Sequence, residues 1–438
     1  MSQTISTMKE PARVTAVSWY VAVVLSLVYA INIADRYVVS TVLESIRLDF
    51  KLTDSQVGLM TGVTLALFYV GVGIPVSMYA DRANRRNIVA AALAAWSLMT
   101  VCFGMAQSFF QLILARIGVG IGEAGGTAPS SSILADYFPP ARRPIALTIF
   151  SLGAPVGGWL GSEVANVVAD QYGWRTVFLV LGVPGVIFGL LIYLTVPEPR
   201  RGAMDGDAVN SSDVVAVPLM DTLRFIWSQK AAMHLMMGGA IAALWGWGLL
   251  WFTPTFLERT YGMTASQVGG AMGPIHLYAG TGATLVAAAL LFMPQLQHPK
   301  RIMWTLAIVI ALSTVPSFYA YWTGSHGATI VMLWAFIPAI YLYIGPTMGL
   351  LNNLVPPAMR AQTIAISLLM GNVTNLIIAV QAVAVISDSV AGPNGADAAS
   401  LRFALLILAP TGFWSAWHYW MAIRHYAKDE ARALAFAG

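Results

Sequence analysis

The sequence predicts an all-α membrane protein, twelve transmembrane helices in two six-helix bundles, on three observations. Of its 438 residues, 58% are hydrophobic and only 10% charged, whereas a soluble domain carries about 25% charge. Apolar stretches close to the ~20 residues that cross a bilayer recur along the whole chain. Lysines and arginines crowd alternate connecting segments and leave the others almost bare.

The predicted spans are 16–40, 56–79, 87–107, 108–134, 144–168 and 175–196, then 232–257, 267–293, 302–322, 327–354, 361–390 and 401–422. The first is longer than a signal-peptide core and other spans follow it, so it reads as an uncleaved helix. The eleventh is interrupted by Asn372, Asn375 and Gln381. With both termini placed in the cytoplasm, seventeen of the 24 lysines and arginines fall inside and five outside, while Arg36 and Arg116 lie within spans. That bias sets the expected orientation, in a plasma membrane or a bacterial inner membrane.

The longest polar stretch, 197–230, divides the spans six and six. It reads as a cytoplasmic linker between an N-terminal bundle (16–196) and a C-terminal one (231–422), with short cytoplasmic segments at 1–15 and 423–438. Within it, Leu219 to Trp227 is amphipathic and suited to the membrane face. The halves echo each other. LTDSQVG (52–58) follows the first span and MTASQVG (263–269) the seventh; FPPARR (138–143) precedes the fifth and VPPAMR (355–360) the eleventh. Two matches in the same order at nearly equal offsets argue for an internal duplication, the build of one large transporter class.

Several chemistries are excluded or unsupported. No lysine follows a glycine, so there is no Walker A loop. The six histidines show no metal-ligand spacing, and no Gly-x-Ser-x-Gly elbow occurs, so neither an enzyme nor a metal or other cofactor is expected. A net charge of +4 with scattered basic residues gives no footprint for nucleic acid. No filter-like loop suggests a channel. The lone Cys102 is expected to be a packing residue.

Four ionisable residues fall inside spans: Asp35, Arg36, Arg116 and Glu123. Each costs about 2.5–3.5 kcal/mol at the bilayer centre, so such groups face a water-filled path or one another. Arg116 and Glu123 are seven apart, two turns along one helix face, and are expected to bridge through a partner on another helix. Asp35 and Glu123 are the candidate proton carriers, and Arg36 and Arg116 the candidate binders of an anionic head group. Two locked salt bridges between the first and fourth spans are the alternative. Asn32, one turn before Asp35, His276 and Asn372 are further candidates for substrate contact, with Asn375 beside them. Trp245, Trp247 and Trp251 suit an apolar wall for an acyl chain, or equally an interfacial anchor. Glu163 reads as a rim charge.

The loop SMYADRANRR (77–86) resembles the loop 2–3 signature of the major facilitator superfamily, with Ser77 and Asn84 in place of its two glycines. Arg116 followed by Gly118, Gly122 and Gly126 resembles that superfamily's fourth-span motif, and GAPVGG (153–158) loosely resembles an antiporter motif one residue too short. Within the superfamily, NIADRY, DSQVGL, YADRANRR, ARIGVGIGEA, LADYFPPARR and PEPRRG, in order through the N-terminal half, resemble the spinster family of lipid transporters. The resemblance implies a major facilitator fold, a central cavity, alternating access and a cytoplasmic gate, here assigned to Asp81, Arg82, Arg85, Arg86, Arg143 and Arg360. It implies a lysophospholipid or sphingoid-type cargo, with proton coupling in some members; protons and the bilayer are the expected partners, and a monomer the expected state. A proton symporter of a water-soluble organic anion, and a membrane receptor or sensor, are the competing readings; the short termini argue against a signalling domain.

Overall fold

The computed structural model describes residues 14–80, 83–139, 142–204, 217–293, 298–393 and 395–437. Apart from one isolated bridge between Gly392 and Gly395, the regular structure among these residues is helical. Among the described residues, ten helices are long and apolar enough to cross a membrane. One of them runs Ile145–Thr195 over 51 residues, roughly 75 Å at the helical rise and more than twice a bilayer core. It divides at Gly173, whose φ of 80° and ψ of 161° are open only to glycine. It is therefore spans 5 and 6 end to end. Span 4 escapes the length criterion because it is broken, Phe109–Glu123 followed by Thr127–Tyr137. The ten helices, with these two adjustments, agree with the twelve spans expected.

Local chemistry starts these helices where the sequence changes from polar to apolar. Span 1 (Ala16–Thr41) begins at a Thr15–Ser18 capping box, and span 12 (Ala398–Leu408, continued by Thr411–Ala437) at an Asp397–Ser400 box. Each box satisfies amides that have no intrahelical partner. The duplication is visible here. Thr53 with Gln56 starts span 2, and Thr264 with Gln267 starts span 8 (Ala265–Phe292), by the same capping box. Arg143 and Arg360, closing the paired FPPARR and VPPAMR loops, each reach back eight residues to a carbonyl. Arg143 Nε donates to Ala135 O at 2.9 Å and Arg360 Nε to Asn352 O at 3.0 Å.

Small residues set how closely the spans approach. Gly153, Gly157 and Gly161 on span 5 face span 1, and a methyl group on any of them would strike the carbonyl of Ser26, Ala30 or Ala34. On span 4, Gly118 lies against Met99, while Gly122 and Gly126 lie against Trp96, both of span 3 (Arg85–Gly104). Close backbone approach of this kind is how helices gain packing energy where lipid removes the hydrophobic drive between them.

Three features depart from expectation. Cys102 is exposed, on the outside of span 3. Trp245 is buried inside the C-terminal half, its Nε1 donating to Ser317 Oγ at 3.0 Å, and Trp251 is buried too, so neither lines an open wall. Spans 2, 8 and 11 each contain a π-helical stretch that periodicity did not suggest: Leu59–Val63, Ile275–Gly280 and Val373–Ala379. The amphipathic stretch is helical over Leu219–Ser228, with Phe225 and Ile226 buried and Leu219, Met220 and Trp227 exposed.

Candidate functional site

Spans 1 to 4 bring the four intramembrane charges into one cluster. Arg36 Nη2 meets Glu123 Oε2 at 2.5 Å and its Nε reaches the same oxygen at 3.1 Å. Arg116 Nη1 meets Asp35 Oδ2 at 3.4 Å, and Thr100 Oγ1 donates to Asp35 Oδ1 at 2.5 Å. The pairs are crossed. The neighbours Asp35 and Arg36 diverge around span 1, and each takes the opposite charge seven residues apart on span 4. The guanidinium of Arg36 also lies over the Tyr69 ring and that of Arg116 over Phe103, favourable cation–π placements.

Accessibility distinguishes the four. The side chains of Asp35, Arg116 and Glu123 are at most 2% exposed, while that of Arg36 is 16% exposed. Arg36 is thus the least enclosed of the four. Satisfaction is incomplete: Arg116 Nε and Nη2 and Glu123 Oε1 are buried without a hydrogen-bond partner among the described residues. Asn32 is buried one turn away, in a narrow cleft with Tyr29, Trp96, Thr127 and Ser130.

His276 does not join this cluster. It sits in the π stretch of span 8, fully buried, where its Nδ1 is 3.0 Å from the Tyr341 hydroxyl and its ring packs at 4.4 Å on Tyr37. The hydroxyls of Tyr37 and Tyr341 are 3.3 Å apart, and Trp247 packs on both rings. Gly158 of span 5 allows the approach, since a methyl group there would stand 3.0 Å from the histidine ring. Span 1 therefore meets spans 7 (Lys230–Tyr261), 8 and 10 (His326–Asn353) through an aromatic plug that links the halves. Tyr37, Tyr341 and Trp247 carry no motif signal as a group, being far apart in sequence.

Asn372 and Asn375 flank the start of the π stretch of span 11 (360–389) and are half-buried; Asn375 Oδ1 has no partner among the described residues. Thr374, between them, donates to Ala240 O of span 7 at 2.8 Å. Helices interrupted by π turns are often functional. Glu163 is half-buried and accepts from Asn166 at 3.2 Å, beside span 8 rather than at an open rim.

At the face where span 1 begins, three separate sequence motifs meet. Arg85 is buried between Asp136 at 2.5 Å and Glu198 at 2.8 Å, with Ser132 Oγ at 2.9 Å. The amide of Arg86 donates to Glu198 Oε2, and its guanidinium lies over Tyr193. Asp136 also accepts from the Gly202 amide, and Arg201 donates to the carbonyls of Ala80 and Ala83. The YADRANRR, LADYFPPARR and PEPRRG segments thus form one network inside the first half. Asp136 and Glu198 lie within the LADYFPPARR and PEPRRG motifs, and no spacing marks them as partners of Arg85. Asp81 and Arg82 lie outside the described residues.

Comparison with known proteins follows the same lines. Residues 25–379 match the family model described as Major Facilitator Superfamily. An MFS-type efflux pump of Mycolicibacterium smegmatis is 30% identical over 413 residues, 94% of each chain. The sphingosine-1-phosphate transporter SPNS2 of Danio rerio is 35% identical over 186 residues, covering 42% of this chain and 36% of that one. A bacterial homologue of the human lysosomal transporter Spinster, solved in an inward-facing and unoccupied conformation, superposes with a TM-score of 0.82 at 28% identity. The match covers 95% of this chain and 98% of that one.

Proposed function

The chain belongs to the major facilitator superfamily as a transporter of the spinster type, and on that premise we propose that it moves an amphiphilic anionic lipid, such as a lysophospholipid or a sphingoid-type lipid, by proton-coupled alternating access. It is a multi-pass membrane transporter and not an enzyme. The observation that carries the cargo and coupling is the crossed quartet, in which Arg36 alone is partly exposed while bonded to the fully buried Glu123.

The chemistry follows from that pair. A phosphate or carboxylate head group presents two oxygens to a guanidinium, a geometry arginine matches with parallel donors. An anion that takes Arg36 leaves the Glu123 carboxylate buried without a counter-charge, a state relieved when the carboxylate takes a proton. The converse holds: a proton on Glu123 frees Arg36 for the anion. Linkage makes the two effects equal, so anion and proton load together. Asp35 with Arg116 is the second proton site, and Asn32, Asn372 and the aromatic plug around His276 complete the contacts of the cargo. The SPNS2 relative, named for a lipid phosphate, supports this cargo. The cytoplasmic gate is the face of Arg85, Arg86, Arg143 and Arg360, and the roles expected of Asp81 and Arg82, which lie outside the described residues, belong to the same proposal.

Proteoliposomes with an imposed pH gradient test the reading, offering a lysophospholipid and, separately, a soluble dicarboxylate. Lysolipid movement is expected to collapse when the gradient is dissipated. Glu123→Gln is expected to lose the proton drive at least tenfold while lysolipid binding persists. Undiminished proton-driven transport by Glu123→Gln removes the assignment of the carrier, and movement of the dicarboxylate alone removes the lipid.

A further inference from the structure

The duplicated SQVG segments have a use that the proposed cargo site leaves unexplained. They start spans 2 and 8 on the face opposite the termini, here the outer face, and each start is held by an aspartate of the other half. Asp388, at the end of span 11, accepts from the amides of Asp54 at 3.0 Å and Ser55 at 2.7 Å. Asp170, at the end of span 5, accepts from the Thr264 hydroxyl at 2.5 Å and the Ser266 amide at 3.3 Å. The Asp170 amide returns a bond to Ser266 Oγ at 3.4 Å. Residues 170 and 388 stand in the same relation as the repeated loops, so one contact is made twice.

The two contacts are unequal. At the span 2 end, Arg259 of span 7 forks across the halves, its guanidinium 2.6 Å from Asp54 Oδ1 and 2.8 Å from Glu44 Oε2. Asp54 accepts further from Ser387 at 2.7 Å, and Glu44 from Arg47 at 2.6 Å. Burial opposes charge on Glu44, but its bonds to Arg47 and Arg259 outweigh that and hold its carboxyl below the usual glutamate range. Arg259 and Asp54 are buried together, and breaking one member of such a pair strands the other charge. Among the described residues the span 8 end has no cation in its contact, and it is more exposed.

We infer that outer closure is built from two quasi-equivalent latches, a strong one joining Asp388 and Arg259 to the start of span 2 and a weak one joining Asp170 to the start of span 8. The inference rests on the alternating-access reading. Its physical content is that the state with the outer face closed is held by carboxylates bonded to amides of the opposite half. Such bonds vanish as the halves part, so the strong latch sets most of the balance between the two states. Asparagine at 388 keeps the shape and removes the charge; glutamate keeps the charge.

The test is electron–electron resonance on purified protein in nanodiscs, without cargo, on a Cys102→Ser background. One spin-label pair spans the outer loops at Gln171 and Gly324, the other the inner side at Asn87 and Lys300. Asp388→Asn and Arg259→Gln are expected to enlarge the outer-wide population about fivefold or more, the range of ordinary allosteric couplings, with the inner distance narrowing in the same molecules. Asp170→Asn is expected to shift it less, and Asp388→Glu to restore the parent distribution. Unchanged outer distances in Asp388→Asn and Arg259→Gln overturn the inference. So does outer widening with no inner response, which marks a local staple. Because no lipid is present, failure of the cargo assignment leaves this result standing, and failure here leaves lysolipid transport to be judged separately.

Discussion

Arg116 is the most exacting side chain of the interior quartet. It is 1% exposed, pairs with Asp35 at 3.4 Å, and among the described residues keeps two donors without partners. A buried charge that loses its counter-ion costs about 3–5 kcal/mol, more than the pair itself contributes. Arg116→Ala is therefore expected to lower stability by about that amount, through the stranded Asp35, whereas Arg116→Ala with Asp35→Asn recovers most of it. Thermal unfolding in detergent measures both, and a double variant no more stable than the single one would show that the pair is not the cause. The sequence located all four charges and their helices. It could not assign partners, because adjacent residues on a helix diverge by about 100° and only packing decides which neighbour each meets. Exposure, which singles out Arg36, is likewise a property of the assembled bundle.

Among the elements, the caps and turns were the most legible. A threonine with glutamine three residues on reads as a helix start from local bonding alone, and Thr53 and Thr264 form those boxes. The π stretches in spans 2, 8 and 11 were not legible, since an extra residue in a turn is stabilised by contacts with other helices. Gly173 is the corner on which spans 5 and 6 depend. Its φ of 80° with ψ of 161° excludes a side chain without strain, although nothing stands within 4 Å of the site. Gly173→Ala is expected to cost about 1–3 kcal/mol, from backbone conformation and not from a clash. A melting temperature unchanged from the parent would place the corner elsewhere.

For the whole molecule, the outer contacts between halves invite a covalent check. A methyl group on Gly58 of span 2 would stand 3.0 Å from Ala384 Cβ of span 11, near the ~3.8 Å between β-carbons of a disulfide. With Cys102→Ser, the pair Gly58→Cys and Ala384→Cys is expected to cross-link on oxidation and arrest transport, with reductant restoring it. Full transport by the cross-linked protein would rule out outer opening as a step of the cycle. Hydropathy and charge bias alone determined that this chain is helical, that it lives in a bilayer and roughly where it crosses, because the solvent of each segment is dictated by its own composition. The tertiary structure decided which charges pair, which aromatic rings plug the interface, that three distant motifs share one network, and that a repeated helix start is gripped from the opposite half. Those facts depend on the rotation and approach of helices that are far apart in sequence, and no local pattern records either.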